Sequence, residues 1–111
     1  MSHAILFRSL VVTIAQSNVA QRLSNSRIKT SQVEIHIPSS NSSSVYFGDG
    51  NVSSSNAVPR AVGSTQVFNA SEHGDITRGD YFDLSKLYLT SATAGDSVII
   101  QYTDTVGESD L

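Results

Sequence analysis

At 111 residues the chain fits one domain over 1–111, with room for one core and no second. It contains no cysteine, which excludes disulfide staples, thiolate nucleophiles and zinc–thiolate sites. Seven Lys and Arg against ten Asp and Glu leave a formal charge of −3 without any basic cluster, which argues against a nucleic-acid partner and a membrane-surface role.

Residues 1–15 are fairly apolar, but Arg8 interrupts them and no basic segment precedes them, so they do not read as a signal peptide. Residues 1–8 read as an N-terminal arm. The first β-type run is Leu10, Val11, Val12, Thr13 and Ile14. In 19–23, Val19, Gln21 and Leu23 alternate with Ala20 and Arg22. The clearest signal is 32–37, where Val33, Ile35 and Ile37 share one face and Gln32, Glu34 and His36 share the other. A period of two marks a strand with one wet face. Pro38 ends that run, where a missing backbone donor does least harm.

Further runs cover 44–47, 62–68, 86–90 and 97–102, and no stretch of ten or more residues carries helical apolar spacing. Gly48-Asp49-Gly50-Asn51 predicts a tight turn, and Ala94-Gly95-Asp96 a hairpin turn between the last two strands. Residues 39–44 and 53–56 are polar Ser/Asn loops. Residues 69–83 form the longest irregular stretch, and 104–111 an acidic C-terminal tail. The expected class is all-β, with the short strands closing into a sandwich or barrel.

Few residues offer chemistry. Glu72, His73, Asp75, Asp80 and Asp83 supply oxygen and imidazole donors in one loop, but the spacing of a calcium-binding loop is missing, so a solvated acidic loop is the reading. No nucleophile elbow or phosphate-binding loop occurs, and His3, His36 and His73 are scattered. The expectation is no catalytic residue, no metal and no cofactor. In the adjacent pairs Tyr46-Phe47 and Tyr81-Phe82 both rings cannot point inward on a strand, so one of each is exposed, as suits a protein interface, or covered by a neighbouring loop.

The order V-Y-F-G-D-G-N-V, a polar patch, Pro59, an amphipathic segment, D-L-S-K-L-Y-L, a Gly-Asp turn and V-I-I-Q-Y resembles small structural proteins of tailed-bacteriophage virions, of the head decoration or cement type. The likeness runs through 44–55, 57–68 and 82–102. It implies one jelly-roll-like β-sandwich of about seven to eight short antiparallel strands that decorates a capsid surface by bridging neighbouring capsid subunits. Its partners would be the major capsid protein or other virion proteins, with homo-oligomerisation, a trimer being one arrangement. A tail, neck or fibre-base connector and a receptor- or carbohydrate-binding module are the alternatives. The charged loop 69–81 and the long N-terminal stretch depart from the pattern. With the exposed aromatics they make Phe7, Tyr46, His73, Asp75, Arg78, Tyr81 and Phe82 the partner-contact candidates.

Overall fold

Backbone pairing in this protein is nested. The computed structural model describes residues 3–74 and 80–107. Its elements are β1 (His3–Thr13), β2 (Gln21–Arg22), β3 (Lys29–Thr30), β4 (Gln32–His36), β5 (Val45–Gly48), β6 (Thr65–Asn69), the helical turn α1 (Ala70–His73), β7 (Phe82–Asp83), β8 (Tyr88–Ser91) and β9 (Ser97–Gly107). Antiparallel pairs join β1 to β9, β2 to β8, β3 to β7 and β4 to β6. Innermost, Val45 and Arg60 exchange backbone hydrogen bonds of 3.0 and 2.8 Å. The chain is therefore one long ribbon doubled back on itself.

Rolling that ribbon adds two more pairings, β4 with β9 and β5 with β8. The result is a four-stranded sheet ordered β1-β9-β4-β6 facing a three-stranded sheet ordered β2-β8-β5, with β3-β7 as a small third ladder. Two facing antiparallel sheets wound this way form a jelly-roll β-sandwich. Successive strands switch sheets, so every inter-strand connection from β4 to β6 and from β8 to β9 crosses an end of the sandwich.

Alternation decides which side chains meet inside. Val33 and Ile35 on β4, Val98 and Ile100 on β9, Val45 on β5 and Leu89 on β8 are 0–1% exposed and form one cluster with Ile14, Ile37 and Leu84. Each such side chain contributes about 1.5–3 kcal/mol through removal from water. Their neighbours Gln32, Glu34 and His36 stay on the wet face, as the sequence spacing predicts.

Loops at the sandwich ends are tied by side chains. Asp96, 7% exposed, accepts hydrogen bonds from the backbone N–H of Ser42 and Ser43, each at 3.0 Å to Oδ2. Asn41 bridges to Ser97 in both directions, at 2.7 and 3.1 Å. The Gly48–Asn51 turn forms as expected: the Asn51 N–H donates to Asp49 Oδ1 at 2.9 Å.

Several expectations change. The strands number nine among the described residues, and β1 and β9 each run eleven residues, so not all are short. Residues read as an arm and a tail pair with each other, from His3↔Gly107 onward, because two weakly patterned segments satisfy one another's backbone groups. Gly95, at φ 94°, makes a turn between sheets and not a hairpin, since β8 and β9 belong to different sheets. The irregular stretch 69–83 begins with a helical turn and ends in β7.

Leu89→Ala should lower unfolding free energy by about 2–5 kcal/mol in a denaturant melt. Asp96→Ala should cost about 1–2 kcal/mol by removing the acceptor of two backbone N–H groups, and Asp96→Asn less, because one acceptor oxygen remains.

Candidate functional site: the free edge of the four-stranded sheet

β1 lies at one edge of its sheet, so among the described residues no strand stands beside the backbone groups on its far side. Its alternate side chains Ile5, Phe7 and Val11 point away from the core and are 68%, 78% and 65% exposed. The register carries the apolar surface inward from the edge. Val11 stands opposite Ile99, which is itself exposed, and Ile99 stands opposite His36. Beyond that the face turns polar: Ser9, Gln101 and Glu34 form a row that ends at Val67. His36 Nδ1 and Thr65 Oγ1 hydrogen-bond at 2.9 Å.

Sheet proteins usually protect a long edge with proline, with outward charges or with a covering segment. Here the outward positions Ile5, Phe7, Ser9, Val11 and Thr13 include neither a charge nor a proline. The one charged side chain among the described side chains of β1, Arg8, has opposite parity and is held by Asp104 at 3.3 Å. β4 stops pairing with β9 at Tyr102, so the ends of β1 and β9 continue as a two-stranded ribbon. The Thr30 hydroxyl anchors its base by donating to the Thr103 carbonyl at 2.7 Å. The chain measures 47 Å along its longest axis against 26 and 23 Å.

The sequence-derived candidates do not converge. Phe7 belongs to the β1 face. Tyr46 sits on the outer face of the other sheet, opposite Thr90. Tyr81 lies at the β3-β7 end, with Lys29 Nζ 4.5 Å from its ring centroid and the Arg27 guanidinium donating to its hydroxyl. Phe82 packs against the core and borders an apolar cleft of about 230 Å³ with Phe47, Phe68 and Arg60. Asp75, Arg78 and the side chain of His73 lie outside the described residues. Among the described residues no group of three or more His, Cys, Asp and Glu could hold a metal ion.

Ile5, Val11 and Ile99 are absent from the sequence-derived candidates. The usable signal was the run from Ala4 to Val12, apolar on both faces of what proves to be a strand. A strand apolar on both faces needs cover on both.

At the β3-β7 end the Asp83 carboxylate accepts from the Ser85 hydroxyl at 2.7 Å and the Ser85 N–H at 3.0 Å, and lies 3.4 Å from Arg27 Nε. The Ser85 hydroxyl is the main cause holding this carboxyl below its ordinary 3.8; partial desolvation opposes it, while the Ser85 N–H and Arg27 act in the same direction.

No protein-family model, no curated protein and no solved structure matches this chain.

A carboxyl whose pKa is lowered by folding stabilises the fold above its unfolded value and loses that contribution as pH falls through the folded value. Thermal midpoints should therefore fall as pH drops below about 3.8, and Asp83→Asn should show a shallower fall across the same range.

Proposed function

We propose that this protein acts by contact and without catalysis, as a virion structural protein that decorates or cements a capsid. The observation that carries this reading is the unprotected β1 edge with its apolar outer face. A neighbouring capsid subunit can pair a strand with the backbone of β1 and cover Ile5, Phe7 and Val11 in the same step. Backbone pairing supplies orientation, and the apolar side chains supply the area removed from water. Specific interfaces of this kind bury about 1,200–2,000 Å² in total, more than one strand offers, so the outward face of β9 takes part as well.

Three further features support the reading. The sequence order through 44–55, 57–68 and 82–102 resembles that of phage head decoration proteins. A rigid two-sheet body suits a bridge that must resist deformation. The Arg8–Asp104 pair and the Thr30–Thr103 bond keep the β1-β9 ribbon in shape for docking.

Phe7→Lys and Val11→Lys place charges on the outward face without touching the core. Each variant should keep the wild-type thermal midpoint within a few degrees yet fail to occupy particles that lack the protein. Particles without it should lose resistance to heat. Full occupancy by both variants, or unchanged heat resistance, would overturn the cementing role. Recovery of the protein from a single ring at one vertex, and not from the whole shell, would assign it instead to a tail, neck or fibre-base connector.

A further inference from the structure

We propose that the outer face of the three-stranded sheet carries a separate groove that binds an uncharged, polyhydroxylated ligand, a saccharide of one or two rings. The groove encloses about 380 Å³ and is lined by Asn18, Ser43, Ser44, Tyr46, Ser54 and Thr90, with Ser91 and Ala92 completing it. That volume lies at the small end of ligand sites.

The walls are built from the ladder outward. Val45 and Leu89 point into the core, so their strand neighbours Tyr46 and Thr90, opposite each other in the register, point away from it. Asn18 closes one side. Its φ of 60° is in the left-handed region, which Asn tolerates, and its N–H donates to the Ser91 carbonyl at 2.7 Å. On the other side the 53–56 loop folds on itself. Asn56 accepts from the Ser53 N–H at 2.8 Å and donates to the Asn51 carbonyl at 2.9 Å, which leaves Ser54 at the rim.

One buried group points to a ligand, and the open polar groups around it would supply further contacts. Thr90 at the floor is 3% exposed, and its hydroxyl has no hydrogen-bond partner among the described residues. Buried polar groups are otherwise nearly always satisfied. Around it, Asn18, Ser44, Tyr46 and Ser54 also keep their side-chain polar groups unengaged among the described residues, whereas the hydroxyl of nearby Tyr88 is taken by Arg22 at 3.1 Å.

The chemistry of the lining selects the class. No Lys, Arg, Asp or Glu lines the groove, so a phosphate or carboxylate would enter without a counter-charge. Hydroxyl and amide groups donate and accept in the way sugar hydroxyls require. The half-buried Tyr46 ring offers an apolar face with a polar tip, which suits the C–H face of a pyranose beside its hydroxyls. None of these residues belongs to the β1 edge, so this site is independent of capsid docking.

The test uses the purified full-length protein on an array of neutral glucose, galactose, mannose and N-acetylglucosamine oligosaccharides, printed beside sialylated and sulfated glycans. The strongest neutral binder is then titrated as the free sugar by calorimetry. Retention of a neutral glycan is expected. Tyr46→Ala and the isosteric Thr90→Val should each weaken it about tenfold or more. Phe7→Lys and Tyr81→Ala should bind as wild type. Unchanged thermal midpoints establish that the variants fold, and Thr90→Val carries the test alone if Tyr46→Ala does not. Silence across the neutral glycans, binding confined to charged glycans, or full affinity in Thr90→Val would overturn the proposal.

Discussion

Antiparallel pairing between segments far apart in the chain is the interaction on which this molecule rests. The outermost ladder joins β1 to β9, and each further ladder lies inside the one before, down to the exchange between Val45 and Arg60. Because the doubled ribbon is rolled, its two halves bring Val33, Ile35, Val98 and Ile100 against Val45 and Leu89. Backbone bonding thus decides which strands are neighbours, and burial of the alternating apolar residues holds the roll closed. Neither suffices alone: a flat ribbon of this sequence would leave its apolar face in water.

The same geometry separates two surfaces with different properties. The four-stranded sheet ends at β1, whose outward side chains are apolar and whose backbone is open on one side. The three-stranded sheet is capped by polar loops that enclose a hydroxyl-rich hollow around Tyr46 and Thr90. One surface suits protein, the other a small neutral ligand. A sandwich can carry both, because each outer face is insulated from the other by the core.

Much of the fold was legible in the sequence, for a physical reason. The period-two pattern at Val33, Ile35 and Ile37 leaves one arrangement of faces, and Pro38 and the Gly48–Asn51 turn mark where chains must bend. The two-residue strands β3 and β7 were not legible, because two residues carry no period. β1 is half legible: Leu10 to Ile14 reads as a strand, but Ile5 and Phe7 are apolar on the face that alternation assigns to water, so residues 1–8 read as an arm. The distal half of β9, with Thr103 and Asp104, is polar and declares itself only through its partner. Among the aromatic candidates Phe7 lies on the open β1 face, Tyr81 stacks with Arg27 and Lys29, and Phe82 packs inward. The aliphatic residues Ile5 and Val11 define the open edge. Of the groove only Tyr46 stands out in the sequence, since Asn18, Ser54 and the β8 residues Thr90 and Ser91 reach it only through folding.

Nesting also sets an order of events during synthesis. β1 emerges first, but its partner β9 begins at Ser97, so the apolar edge strand waits for nearly the whole chain before it has anything to pair with. The inner rungs around β4, β5 and β6 can close earlier, over much shorter loops. Loop-closure entropy therefore favours pairing from the middle of the chain toward its ends. The surface with the strongest appetite for another strand is the one left unguarded longest, which makes the nascent chain, more than the finished protein, the species most prone to aggregate.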